Sequence, residues 1–176
     1  ERLQALTPAE REEFTRVHQS RANPGVAISP HGRYRIETVC GFETLLGAAS
    51  TIEYHHARLV SFFGSDPFEQ RPGLVRIEPE HTGLESDGAP FWWAGGFQGG
   101  DVTTVRFAWS SIPGLGKGLT HELTHRFDGA LFPFLPPWAT EGRAVWTAAS
   151  YGAITDPTFA PEALNPWTIQ TPFVKG

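Results

Sequence analysis

Methionine is absent from this 176-residue chain, and cysteine occurs once, at Cys40. A single cysteine permits no intrachain disulfide, excludes a metal site built of paired thiolates and leaves the redox compartment open. Positive charge is scarce as well. Fourteen Lys and Arg stand against nineteen Asp and Glu, a formal net charge of -5. No stretch gathers Lys or Arg into the basic stripe that phosphate backbones require, so nucleic acid is not an expected partner. No apolar run approaches the roughly 18 to 20 residues that span a bilayer, and Leu131 to Leu135 is interrupted by Pro133, so no membrane span is expected. A chain that begins at Glu1 without Met reads as a processed chain or a domain cut from something longer.

What the sequence does have is apolar bulk. Six Trp, thirteen Phe and three Tyr supply enough large side chains for one core of ordinary globular size without metal or disulfide staples. Residues 1–32 are polar, with a helical signal over Pro8–Gln19, and read as an N-terminal arm or extension. Arg33 to Val39 alternates charged and apolar residues, the two-residue period of a strand. From Phe42 to Phe63 apolar residues recur at three and four before Gly64, which predicts a long core-facing helix. His55 and His56 within it are adjacent and cannot share a helix face, so one is expected packed and the other solvated. Leu74 to Ile77 and Val102 to Trp109 read as strands of one sheet. Between them, Phe91 to Gly100 is aromatic and then glycine-rich, which suits an edge strand turning tightly into Val102. Trp92 and Trp93 there read more readily as packing than as a pocket wall. A helix is predicted from about Leu115 to Asp128 with Gly129 to end it, and another from Pro137 to about Tyr151. A domain over 33–155 and a C-terminal tail over 156–176 follow.

The chemistry concentrates in His121-Glu122-Leu123-Thr124-His125. Residues four apart on a helix share a face, so the two imidazoles can reach one metal ion. Leu119, Leu123 and Phe127 lie two positions away, about 200 degrees around the helix, and turn the histidines from the apolar stripe. Glu122 projects about 100 degrees from His121, beside the ion, where a carboxylate can take a proton from a metal-activated water. Catalytic zinc takes three protein ligands and keeps one open position. Glu141 in Trp138-Ala139-Thr140-Glu141-Gly142 supplies the third, with fifteen residues and a proline-containing loop separating it from His125. Such a set lowers the pKa of bound water to about 7 and polarises a carbonyl, the chemistry of amide hydrolysis. Asp128, three residues after His125, could orient His121 or His125 as a hydrogen-bond acceptor.

These residues resemble the gluzincin metallopeptidases, which share H-E-x-x-H followed by a glutamate on a second helix. Pro137 to Ala144 is similar to the proline, tryptophan and Glu-Gly signature of the aminopeptidase-like branch, and Phe42 to Gly64 to that branch's backing helix. The resemblance implies an α+β zincin-like domain. Its parts would be a small twisted mixed sheet of three or four strands, a backing helix, the H-E-x-x-H helix and the glutamate helix. It implies one Zn2+ per chain on His121, His125 and Glu141, with Glu122 as base and then acid in hydrolysis of a peptide or protein substrate. An edge strand through Ala94, Gly95, Gly96 and Phe97 would hold the substrate backbone. It also implies an oxyanion-stabilising Tyr or His, for which Tyr151 is the candidate. The acidic residue by which the aminopeptidases hold a free amine is missing from the glycine-rich edge. The metzincin pattern fails, because Asp128 stands where that group has glycine. The competing expectation is a silent or latent zinc-stabilised module that binds a peptide or protein without cleaving it.

Overall fold

A computed structural model describes residues 5–68, 71–80, 85–89, 94–107 and 112–151, the side chains of 112, 113 and 151 excepted. Trp92, Trp93, residues 108–109 of the expected strand and the 156–176 tail lie outside these described residues. The chain is α+β, with a six-stranded mixed sheet and four helices among the described residues. Among the described residues no helix is long and apolar enough to cross a membrane.

Helix α1 (Pro8–Val17) opens on a capping box, in which the Thr7 hydroxyl accepts from the Glu10 amide while the Glu10 carboxylate accepts from the Thr7 amide. Strands β1 (Gln19–Ser20) and β2 (Asn23–Ile28) follow, then β3 (Tyr34–Thr38), helix α2 (Phe42–Phe63), β4 (Gly73–Glu78), β5 (Gly96–Gly99), β6 (Val102–Arg106), α3 (Ile112–Leu131) and α4 (Pro137–Tyr151). The strand order is β1-β2-β3-β4-β6-β5. Strands β3, β4 and β6 run parallel in the centre, and β2 and β5 are antiparallel to their neighbours.

The expected sheet of three or four strands is therefore too small, and the expected arm over 1–32 contributes to it. Strand β2 pairs with β3 from Gly25↔Thr38 to Ile28↔Arg35. Pro24 and Gly25 disguise the strand as a turn. Pro24 sits near its start, where a missing amide costs little. Gly25 leaves room for the Phe14 ring, which would stand 2.6 Å from a Cβ placed there, so α1 packs onto the sheet through that glycine.

The two-residue alternation of the strands sends Tyr34, Ile36, Val75, Ile77 and Val105 to one face, where they are buried against Leu45, Ile52 and Leu59 of α2 and Leu115, Leu119, Leu123 and Phe127 of α3. Helix α2 has the predicted ends, with Gly64 in the left-handed region at φ 77°. Helix α3 is longer than predicted. Gly129 stays helical and the helix runs on to Leu131, where Pro133 rather than the glycine stops it. Gly118 carries α3 close over the sheet, since a Cβ there would lie 2.9 Å from Val105. The result is a helix bearing His121 and His125 laid across the β6–β5 side of the sheet, with α4 packed along it.

Candidate metal centre

The apolar phase of α3 orients the site. Leu119, Leu123 and Phe127 are fully buried, and His121 and His125 emerge on the other side, partly exposed. Helix α4 returns antiparallel after the Phe132–Pro136 turn and brings Glu141 to them. His125 Nε2 is 3.2 Å from His121 Nε2, His121 Nε2 is 3.5 Å from Glu141 Oε2, and His125 Nε2 is 3.3 Å from Glu141 Oε1. Two donors each about 2.0 to 2.1 Å from a tetrahedral ion stand about 3.4 Å apart. The donor set is also suited to such an ion, with two imidazoles, one carboxylate and no competing lysine or arginine among the three. His121, His125 and Glu141 could thus hold a metal ion.

The charges of the three are coupled. Burial disfavours a charged His121, but its hydrogen bond with Glu141 and the nearby Glu122 carboxylate outweigh that and raise its pKa above the ordinary value. His125 is driven the other way, down to about 4, by burial and by the charge of His121. Its ring is neutral at pH 7 and keeps a lone pair for a ligand. Glu141 is held below the usual carboxylate range, first by its hydrogen bond with His121.

Glu122 is buried, and burial together with the Glu141 charge pushes its pKa up to about 7 against the opposing pull of His121. What buries it is the edge strand. A Cβ on Gly96 would stand 2.5 Å from Glu122 Oε1 and 2.7 Å from its carboxyl carbon, so only glycine lets β5 approach this carboxylate. Arg106 donates to the Gly95 carbonyl at 2.8 Å, and Gly96 is paired with Val105. By antiparallel alternation the backbone groups of Gly96 and Gln98 then point away from β6, toward the side of β5 that no other strand covers among the described residues. Strand β5 begins two residues later than the expected Ala94 start; Ala94 and Gly95 precede it, and Gly96 and Phe97 lie within it.

Two further expectations meet the structure differently. Asp128 is buried, and instead of accepting from His121 or His125 it lies 2.7 Å from Arg143 Nη1 of α4. Burial raises its pKa to about 6 despite that guanidinium. Tyr151 ends α4, and its side chain lies outside the described residues. His55 and His56 are both buried, at 0% and 2% exposure, not split between core and solvent. His55 Nδ1 and the Thr120 hydroxyl share a 3.0 Å hydrogen bond. His56 donates from Nε2 to Asp66 at 2.9 Å, and its Nδ1 shares a 2.7 Å hydrogen bond with Tyr34.

Sequence reasoning passed over Arg143, Thr124 and Thr147, which join α3 to α4. No local signal marks them, because their pairing depends on how the two helices dock. Comparison of the chain with protein families, with curated proteins and with solved structures found no match.

Proposed function

We propose that the chain is a zinc-dependent metallopeptidase of gluzincin type. The observation that carries this reading is the convergence of His121, His125 and Glu141 at 3.2 to 3.5 Å from one another, with the buried carboxylate of Glu122 next to them under a glycine edge strand. Tetrahedral coordination by two imidazoles and a carboxylate suits zinc and leaves a fourth position open. Zinc held there would polarise a carbonyl and lower the pKa of a bound water to about 7.

The remaining work belongs to the chain's own groups. Glu122 is the base that takes a proton from the attacking water and the acid that returns it to the leaving amine nitrogen. A carboxylate with a pKa of about 7 can do both near neutral pH. Strand β5 presents the backbone N–H and C=O of Gly96 and Gln98 along its open side, where an extended peptide would add as a further strand. A peptide added there would lie beside Glu122, whose carboxylate comes so near the Gly96 backbone that a Cβ would not fit between them.

The test is Glu122→Gln. Zinc content should stay at wild-type level, because Glu122 is not a ligand. Hydrolysis of a mixed peptide library should fall by about 100- to 10,000-fold, the usual share of a general acid–base group. An unchanged rate would remove the mechanism, and zinc binding without cleavage by the wild type would leave a peptide-binding module in its place.

A further inference from the structure

Glu141 is the most exposed of the three donors, its side chain 55% accessible against 25% for His121 and 18% for His125. Burial therefore does not hold it in place; the docking of α4 on α3 does. Two cross-links sit in that seam. Asp128, 1% exposed, meets Arg143 Nη1 at 2.7 Å. The fully buried hydroxyls of Thr124 and Thr147 lie 2.6 Å apart. Each hydroxyl has one proton, so one donates across the seam while the other donates to its own helix, to Thr120 or Ala144. Thr124 and Asp128 are four apart on α3, as Arg143 and Thr147 are on α4, so each pair shares a helix face and the links stand one turn apart. The Arg143 guanidinium is further confined by the Phe63 ring at 5.5 Å and the Phe132 ring at 4.9 Å.

We propose that the Asp128–Arg143 pair, backed by the Thr124–Thr147 link, fixes the height and rotation of α4 so that Glu141 completes the metal centre. Asp128 and Arg143 are then positioning residues, acting on the ion only through Glu141. A buried carboxylate is costly when its charged partner leaves its hydrogen-bonding capacity unused, as here, where the Arg143 contact is an ion pair and neither Asp128 Oδ1 nor Oδ2 has a hydrogen bond among the described residues. Apolar packing would hold two helices together as well. An ion pair does something packing does not, which is to fix one register between them.

The inference rests on the metal-centre reading, and Zn2+ competition titration against a chromophoric chelator separates the two. Wild type, Asp128→Asn, Glu141→Gln and the double variant are compared, with folding checked by circular dichroism. Asp128→Asn should weaken Zn2+ binding by about 10- to 100-fold, the range seen when a group supporting a ligand is removed. In the Glu141→Gln background the same change should cost less than about threefold, because the ligand it positions is no longer there. Arg143→Gln should behave like Asp128→Asn, and it carries the comparison if the buried site does not tolerate Asn. A Kd within twofold of wild type in a folded Asp128→Asn or Arg143→Gln variant would overturn the proposal, as would an equal loss in both backgrounds, the mark of general loosening. A wild-type chain that takes up no Zn2+ would remove the metal centre itself.

Discussion

The chain contains two histidine pairs built on opposite rules. His55 and His56 are neighbours in sequence, both buried, and their rings are tied to Thr120 on one side and to Tyr34 and Asp66 on the other. His121 and His125 are one helical turn apart, partly exposed, and turned toward each other and Glu141. The first pair is held by hydrogen bonds inside the core, and the second has ring nitrogens converging on a common point. Spacing decides this. Adjacent helical residues diverge by about 100 degrees and cannot address one ion, whereas residues four apart can. A ligand histidine is thus distinguished by where its nitrogens converge, more than by how deeply it is buried.

The contrast is broken most forcefully at His125. His125→Ala should lower Zn2+ affinity by more than about 100-fold, beyond what loss of a merely supporting group costs, with little change in thermal stability of the metal-free chain. His56→Ala should do the reverse. Removing a ring held by Tyr34 and Asp66 opens a cavity and strips the buried Tyr34 and the partly buried Asp66 of a hydrogen bond, a loss of about 2 to 4 kcal/mol in denaturant unfolding, while Zn2+ affinity stays within about twofold. Equal effects of the two substitutions on metal affinity would erase the distinction.

The smallest effect sharpens the comparison within the ligand pair. His121 has a raised pKa and His125 one of about 4, so at pH 6 to 7 metal uptake must expel a proton from His121 but not from His125. Zn2+ affinity should rise with pH by at most about tenfold per unit, the slope of a single proton, and flatten above the raised His121 value. A slope of two protons across that range would show that the two rings are equivalent.

How far the sequence could be read follows the same physics. Helix α2 and helix α4 have their predicted spans because capping, periodicity and proline placement are local signals. The His121, His125 and Glu141 cluster was legible for the same reason, since H-E-x-x-H encodes its geometry within one turn and Glu141 sits at a marked place in the next helix. Strand β2 escaped because Pro24 and Gly25 carry turn chemistry, and only the tertiary packing of Phe14 on Gly25 gives them a place in a sheet. The length of α3 escaped because Gly129 can be helical or left-handed, and the choice is made by the chain beyond it. Asp128 reads from the sequence either as an acceptor for His121 or His125 or as an ordinary helix-end residue, and the structure sets it against Arg143. Its distance to Arg143 depends on how two helices dock, which no spacing along the sequence records. The burial of both His55 and His56 has the same origin, because the groups that satisfy them come from β3, α3 and the turn at Asp66.

The most direct test of the metal centre is the metal content of the purified full chain after Zn2+ reconstitution and removal of excess ion, measured beside His125→Ala. The expected result is about one zinc per wild-type chain and a fraction of that in the variant. Equal zinc in both, or none in either, would contradict the assignment of His121, His125 and Glu141.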